Sequence, residues 1–280
     1  METNQILSKA LSSSQQKNEA TKTDMDQLKK SYNVLNLIAS GSFADVYLVA
    51  CYNDESKKFA AKVVRHVAPG RNSEAKVLME LRHENLVRGV EIINSNIFVM
   101  EYLMGKTLHE YLGEEGRIAE IDASGIMYRV ARGLEFLHGN MTSHGDLKPD
   151  NVIMCCDGEV KLIDFGLSAR ADGASGLVEP LSHGNAVFAA PEVTRMQKYD
   201  PLKADIWSFG VVLYLMITGR ALKSSCENEI YFPCFVSNLL KTFLRTYLLR
   251  QKSSERKSAG EVLEHKWLKR GKFFKVKKVL

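Results

Sequence analysis

The sequence has few of the features that mark secreted, zinc-binding or membrane-spanning proteins. Its five cysteines are odd in number and form no CxxC pair, which argues against both a disulfide framework and a zinc site. No apolar run approaches the roughly 20 residues of a membrane span, and the N-terminal residues lack the apolar segment of a signal peptide. We therefore expect a cytoplasmic protein of a reducing compartment, which is also compatible with nuclear entry.

Aromatic residues are absent from the start of the chain. Residues 1–31 contain no Phe, Tyr or Trp and are rich in Ser, Gln, Asn, Lys and Glu. Because such a segment has little to bury, we expect a polar, disordered tail or a loose helix over 1–31.

Charge of one sign is not in large excess. The formal net charge is +5, and the basic residues are spread among 33 acidic ones, so we expect no nucleic-acid partner. With 280 residues, 45% of them hydrophobic, the chain can bury a sizeable core in one or two compact units.

Two groups of polar residues lie near the middle of the chain. His144-Gly145-Asp146-Leu147-Lys148-Pro149-Asp150-Asn151 is followed thirteen positions later by Asp164-Phe165-Gly166. Apolar runs at 152–154 and 160–163, separated by Asp157-Gly158, predict a β-hairpin that places the acids at strand ends. Two carboxylates and an amide beside a lysine can bind a divalent metal and orient a hydroxyl toward a phosphorus atom. This pattern indicates phosphoryl transfer.

At these motifs the chain resembles the eukaryotic-type protein kinases, whose catalytic and metal-binding loops have this order and spacing. The resemblance covers about Tyr32 to Trp267 and implies an α+β, bilobal kinase domain over 32–268. It implies a small antiparallel N-lobe with one key helix at 32–101, a hinge at 101–105, a mainly helical C-lobe at 106–268 and a basic tail at 269–280.

The residue patterns also predict a change from strands to helices. Strands are predicted at Tyr32–Ile38, Val46–Ala50, Phe59–Val64 and Ile97–Met100. Ile126, Val130, Leu134 and Leu137 recur at helical spacing before Gly139-Asn140, and Ile206–Ile217 is apolar almost throughout, as in a buried helix.

A small-residue loop between two predicted strands is the first candidate nucleotide site. Of the family's three loop glycines only Gly41 remains, because Ala39 and Ala44 replace the others. Alanine is tolerated unless the backbone needs a positive φ. By resemblance, the residues that contact ATP are Ile38, Ala39, Ser40, Gly41, Val46, Ala60, Lys62, Glu101, Leu103 and Ile153.

Lys62 ends an apolar strand, and by resemblance it contacts the α- and β-phosphates. Glu74 falls on the helical stripe of Leu78 and Leu81, so its carboxylate faces inward and needs a cation. We therefore predict a Lys62–Glu74 ion pair.

By resemblance, the second group of residues carries the chemistry. Asp146 accepts the proton of the substrate hydroxyl, Lys148 neutralises charge on the transferred phosphate, and Asn151 and Asp164 hold Mg²⁺. The form Asp-Leu-Lys-Pro is typical of Ser/Thr kinases, so serine or threonine is the expected acceptor. Gly145 stands where the family usually has an arginine that binds an activation-segment phosphate, and glycine cannot do so.

Two contacts of buried carboxylates are expected to support the fold rather than the chemistry. Glu192 should pair with Arg256, and Asp205 should connect the catalytic loop to the central helix. Trp207–Val211 and His265–Leu268 are loosely similar to the calcium/calmodulin-dependent kinase group. A monomer is expected.

Three function classes are weighed on these residues. The intact catalytic and metal-binding residues favour an active kinase of protein substrates, whereas Ala39, Ala44 and Gly145 favour a pseudokinase, a nucleotide-binding or scaffold module. A kinase of small molecules is disfavoured by Ala190-Pro191-Glu192, which serves peptide binding in the family. The basic tail either caps the C-lobe, which we favour, or contacts an anionic membrane or a docking partner.

Overall fold

The computed structural model describes residues 22–41, 43–65, 73–171, 175–179, 186–222 and 230–274. The chain divides into two compact units. Unit 1 comprises Met1–Met79 and Arg88–Leu103, and unit 2 comprises Glu80–Val87 and Met104–Leu280.

Unit 1 is an antiparallel sheet with two helices in its described part. The strands are β1 (Asn33–Ser40), β2 (Ala44–Cys51), β3 (Asp54–Val64), β4 (Gly89–Asn94) and β5 (Ile97–Glu101), in the spatial order β1-β2-β3-β5-β4. The helices are α1 (22–31) and α2 (Ser73–Glu80). All four predicted strands are present, whereas β4 was not predicted because half of its residues are polar or glycine.

Helix α1 lies in the segment 1–31, for which a polar, disordered tail or a loose helix was predicted. Residues 22–31 form a helix in which Leu28 is fully buried. Leu28 and Tyr32 are four residues apart, so both reach the same apolar core as Val49 and Ile97. A few apolar residues at helical spacing suffice for this helix, because a sheet face receives them. Residues 1–21 lie outside the described part of the chain.

Unit 2 is mainly helical and contains one small sheet. Its helices are α3 (Leu108–Glu115), α4 (Glu120–Gly139), α5 (Pro191–Thr194), α6 (Pro201–Thr218), α7 (Asn238–Phe243), α8 (Ala259–Leu263) and α9 (Lys266–Lys269). Short 3₁₀ turns cover Pro149–Asn151 and Ser253–Glu255, and a π-helical turn covers Leu244–Leu248. The sheet has the order β6 (Gly105–Thr107), β7 (Val152–Cys155), β8 (Val160–Leu162).

Together the units confirm the predicted α+β fold, and the predicted hairpin is the β7–β8 pair. Residues 80–87, which were predicted in the N-lobe, belong to unit 2. There the Asn85 Nδ2 donates to the carbonyl of Val160 at 2.9 Å, and the Val87 N–H donates to the carbonyl of Leu162 at 2.9 Å.

Helix α6 forms the centre of unit 2, as predicted. Asp200 caps its N-terminus by accepting N–H groups of Leu202 and Lys203, and Gly219 ends it with φ of 66°. Among the described residues, α6 is the one helix long and apolar enough to cross a membrane. However, 78% of this 18-residue helix is buried inside the protein. This burial is expected of a core helix.

Candidate active site

Lys62 and Glu74 form the predicted ion pair in unit 1. Lys62 Nζ lies 2.5 Å from Glu74 Oε1, and the two side chains are only 12% and 10% exposed. Lys62 sits on the middle strand, paired with Val46 of β2 and Phe98 of β5. Because both charges are largely removed from water, their attraction is screened less than that of a surface pair. The ammonium group is therefore held in a fixed place on the sheet.

Hydrogen bonds join the facing ends of β1 and β2. The Gly41 N–H donates to the carbonyl of Ala44 at 2.9 Å, and the Ser40 hydroxyl donates to Asp45 Oδ1 at 2.6 Å. Ala39 and Ala44 lie inside β1 and β2, where the backbone is extended. The two alanines that replace the family's glycines therefore fit without backbone strain.

The other predicted nucleotide contacts are distributed over both units. In unit 1, Ala60 is buried in β3, Ile38 is 40% exposed and Val46 is half-buried. Ile153 is half-buried and belongs to β7 of unit 2. Glu101 exchanges hydrogen bonds with the backbone of Arg88, whose N–H donates to Glu101 Oε1 at 2.8 Å. Leu103, the last residue of unit 1, is half-buried.

In unit 2, the carboxylate of Asp146 is held from one side. Lys148 Nζ donates to its Oδ2 at 2.6 Å and Asn151 Nδ2 donates to the same oxygen at 3.1 Å. The side chain is 13% exposed. Within the described residues no hydrogen bond to Oδ1 occurs, so this oxygen can accept a proton from a hydroxyl group.

Asn151 and Asp164 provide oxygen ligands of the kind that Mg²⁺ prefers. Both N–H groups of Asn151 Nδ2 are directed to Asp146, at its carbonyl and its Oδ2, which leaves the amide oxygen on the opposite side. The Ile163 N–H donates to the carbonyl of Asn151 at 3.0 Å, so the residue before Asp164 is tied to the Asn151 backbone. The donor set fits a hard divalent cation that keeps water or phosphate as its other ligands.

The ring of His144 connects the loop that contains Asp146 to the loop that contains Asp164. The Asp146 N–H points at Nδ1 at 3.3 Å, so Nδ1 is the acceptor and Nε2 carries the proton that is donated to the carbonyl of Ile163 at 3.1 Å. The ring also packs against Phe165 at 5.4 Å between centroids. The loop of Asp146 and the loop of Asp164 are thereby fixed to each other.

Asp205 anchors the same loop from α6, as predicted. Its carboxylate accepts the N–H of His144 at 2.7 Å and the N–H of Gly145 at 2.9 Å. Sequence reasoning missed a third partner, His138, whose Nε2 lies 2.9 Å from Asp205 Oδ2. Burial, and then the Asp205 charge, raises the pKa of Tyr199, so that hydroxyl stays protonated.

A family model described as protein kinase domain matches residues 32–268. The chain belongs to the protein kinase family. It is 31% identical over 279 residues to mouse (Mus musculus) sperm motility kinase 3A. This match covers 92% of this chain and 55% of the relative. It is also 31% identical to two Arabidopsis thaliana proteins, CBL-interacting serine/threonine-protein kinase 16 over 246 residues and serine/threonine-protein kinase GRIK1 over 258 residues. These matches cover 76% and 82% of this chain, and 52% and 65% of the relatives, so the chain spans only part of their length.

Gly145 is the main departure from the kinase pattern, and the structure gives it a conformational reason. Its φ is 79°, in the left-handed region, and a Cβ at this position would lie 2.1 Å from the carbonyl oxygen of Leu167. An L-residue here must shift the backbone whose N–H groups bond to Asp205. The glycine therefore removes both a phosphate-binding side chain and a source of strain.

We expect Gly145→Ala to lower the free energy of unfolding by at least about 1–2 kcal/mol, the usual cost of a left-handed L-residue, and to lower phosphoryl transfer as the loop moves. Gly113→Ala is the matched control, because no heavy atom lies within 4 Å of a Cβ built there in α3. Urea unfolding and a transfer assay on both variants check this. Equal stability of the two variants would show that the loop tolerates a side chain.

The activation segment, between Asp164-Phe165-Gly166 and Ala190-Pro191-Glu192, contains three serines, Ser168, Ser175 and Ser182. Of these, Ser168 is not accessible. It is 7% exposed, and its Oγ has no hydrogen-bond partner among the described residues. Ser175 is exposed, and Ser182 lies outside the described residues. In this conformation Ser168 therefore cannot enter the active site of another kinase.

The predicted contact between Glu192 and Arg256 is a buried bidentate pair. Nη1 and Nη2 of Arg256 donate to the two carboxylate oxygens at 2.6 and 2.7 Å. The Arg256 side chain is 0% exposed and its guanidinium lies 5.1 Å from the ring centre of Trp207. This pair joins α5, the end of the activation segment, to the interior of unit 2.

Proposed function

We propose that this chain transfers the γ-phosphoryl group of ATP to serine or threonine hydroxyls of protein substrates. The observation that carries the proposal is the geometry of Asp146, whose Oδ2 is fixed by Lys148 and Asn151 while Oδ1 remains available to a hydroxyl. Such a carboxylate orients the attacking oxygen and accepts its proton. Family membership supports the same reaction.

The proposed roles of the other residues are those of the matching residues in the kinase family, and their contacts support these roles. Lys62, held by Glu74, binds the α- and β-phosphates. The acceptor oxygen forms a bond to the γ-phosphorus as the bond to the ADP oxygen breaks, and the hydroxyl proton passes to Asp146. Lys148, 2.6 Å from Asp146, neutralises charge on the transferred group.

Asn151 and Asp164 would hold Mg²⁺ through their side-chain oxygens. When bound, the ion supplies positive charge at the phosphate oxygens. Gly166 N–H donates to Asp164 Oδ1 at 3.2 Å, which orients the carboxylate before any metal arrives. Preformed ligands reduce the ordering cost of binding.

The acceptor class rests on Asp146-Leu147-Lys148-Pro149 and on relatives whose names include serine/threonine-protein kinase. The proposed substrates are proteins, and the proposed compartment is the cytoplasm. We propose that the chain acts as a monomer.

The proposal is tested by transfer from radiolabelled ATP to a generic basic protein substrate, with and without Mg²⁺. We expect transfer that EDTA abolishes and that Lys62→Met lowers by about 10²-fold or more, because the phosphates lose their fixed cation. Lys58→Met is the matched control, since Lys58 is an exposed lysine of the same strand. Transfer that is unchanged in Lys62→Met would contradict the assigned role.

A pseudokinase is the second candidate, favoured by Gly145, Ala39 and Ala44. Because the two alanines fit the strands that hold them without strain, they give this candidate little support. Nucleotide binding by calorimetry together with no detectable transfer would support it. Absence of Mg²⁺-dependent nucleotide binding would contradict the assigned nucleotide and metal residues and leave a scaffold role.

Activity is expected to be independent of phosphorylation at Ser168, Ser175 and Ser182. Gly145 has no side chain to bind a phosphate, while Asp205 already holds the loop through two backbone N–H groups. The triple alanine variant should therefore keep at least half of the wild-type kcat, and Ser168→Ala itself removes a buried hydroxyl without a partner. Loss of transfer in a variant that retains the wild-type melting temperature would overturn this prediction.

A further inference from the structure

The positive charge of the chain is concentrated at one end. Residues 266–280 contain seven Lys and Arg and no Asp or Glu, whereas the whole chain carries a net charge of +5. The remaining 265 residues therefore carry a net charge of −2, seven less than the total. This segment is the basic end that the sequence analysis identified.

The described part of the segment is fixed to α4 by three anchors. Trp267 is fully buried and its Nε1 donates to Glu120 Oε2 at 2.8 Å. Gly271 packs so closely on the backbone that a Cβ there would lie 2.0 Å from the carbonyl oxygen of Ser124. Phe274 lies against Gly125.

Arg129 closes the third anchor. Its Nη2 donates to the carbonyl of Phe274 at 3.0 Å, and its Nη1 donates to the carbonyl of Gly125 at 2.9 Å. Trp267 and Phe274 therefore pack on the C-lobe, as the favoured expectation for this end of the chain required.

The residues between the anchors face solvent instead. Phe273 is 87% exposed, and Lys272 Nζ lies 5.5 Å from its ring centre. Arg270 is exposed as well. Because Gly271 and Phe274 hold the backbone on either side, Phe273 cannot turn inward without breaking an anchor.

We propose that the surface formed by Arg270, Lys272 and Phe273 binds an anionic lipid membrane. Cations attract acidic headgroups, and an aromatic ring that projects beyond them can enter the interface. The following residues, Lys275-Val276-Lys277-Lys278-Val279-Leu280, continue the same mixture of cations and apolar side chains in the sequence. This inference does not depend on phosphoryl transfer.

An acidic protein is the competing occupant, and the position of Phe273 favours lipid. A protein partner buries an aromatic anchor in a pocket and surrounds it with matched polar groups. A membrane needs only an accessible ring beside several cations, which is the arrangement here. The two occupants also respond differently to loss of the ring.

The test is cosedimentation of the full chain with vesicles of phosphatidylcholine alone or with about 30% phosphatidylserine. We expect the acidic vesicles to bind at least about tenfold better, and binding to weaken as salt is raised from about 0.1 to 0.5 M. Arg270→Glu/Lys272→Glu should lower binding by about tenfold or more. Phe273→Ala should lower it about fivefold at unchanged net charge.

Matched controls separate this surface from general charge and hydrophobicity. Lys57→Glu/Lys58→Glu changes the net charge equally at exposed positions of β3, and Tyr231→Ala removes a ring that is 66% exposed. Both should bind vesicles within about twofold of wild type. All variants should keep the wild-type melting temperature, since the altered side chains are exposed.

Three outcomes would overturn the proposal. One is equal sedimentation with neutral and acidic vesicles, and another is a loss in the β3 control as large as that in Arg270→Glu/Lys272→Glu. The third is binding to polyglutamate as strong as to acidic vesicles with no effect of Phe273→Ala, which would identify a site for acidic polypeptides.

Discussion

Replacing Asp146 by asparagine is expected to lower kcat by about 10³-fold, within the range that a general base contributes. Asparagine has the same shape, so Lys148 and Asn151 can still donate to the one oxygen that remains. The amide NH₂ then occupies the place of Oδ1, where it donates a hydrogen bond and cannot accept the proton of a hydroxyl. Binding of ATP should change little, because Asp146 is not among the residues assigned to the nucleotide.

The control for this variant is Asp150→Asn, which removes a carboxylate from the same loop. Asp150 is exposed and lies in the 3₁₀ turn, so its loss should leave kcat within about twofold and affect at most the KM of a basic substrate. Initial rates at saturating ATP and Mg²⁺ measure both. A kcat of Asp146→Asn above a tenth of wild type would contradict its role as the proton acceptor.

An active-site contact could be predicted from the sequence where one charged residue requires a partner of opposite charge and the motif supplies only one. Glu74 on an apolar helical stripe requires a cation, and Lys62 is the cation that the family motif offers. The structure contains that pair. The contact of Asp205 with the catalytic loop was predicted from the motif that contains Asp205, and it agrees with the need of a buried carboxylate for donors.

Other features depended on tertiary contacts that have no local pattern. Helix α1 contains few apolar residues, and Leu28 becomes a core residue only because a sheet face is present to receive it. His138 lies among the apolar residues of α4, and its bond to Asp205 depends on the crossing of α4 and α6. The left-handed φ of Gly145 likewise arises from the loop that surrounds it.

The effect of Gly145 on this site is best understood through Asp205. A kinase that has arginine at this position can couple loop geometry to an activation-segment phosphate. Here the loop is held by a buried carboxylate with three donors, the N–H groups of His144 and Gly145 and the ring of His138. Charge-assisted hydrogen bonds of this kind are stronger than neutral ones. We therefore predict that the loop adopts the geometry that positions Asp146 without a phosphate on the activation segment.

The largest expected effect on stability is at the Glu192–Arg256 pair. Either Glu192→Gln or Arg256→Met should lower the free energy of unfolding of unit 2 by about 3–5 kcal/mol, because each leaves one buried group without its partner. In Glu192→Gln the fully buried guanidinium keeps its bonds to the carbonyls of Arg250 and Lys203 but loses its counter-charge. Arg256→Met removes those bonds together with the ion pair.

A double-mutant cycle distinguishes the pair from simple loss of packing. If the two groups act on each other, Glu192→Gln/Arg256→Met should cost less than the sum of the single variants, by about 1–3 kcal/mol. Both tryptophans, Trp207 and Trp267, are buried in unit 2, so urea unfolding followed by tryptophan fluorescence reports on that unit. Midpoints are compared rather than intensities, because Arg256 lies over the ring of Trp207. Single effects that add without any coupling would mean that Arg256 stabilises unit 2 through its carbonyl bonds and its packing on Trp207, and that the carboxylate of Glu192 contributes little.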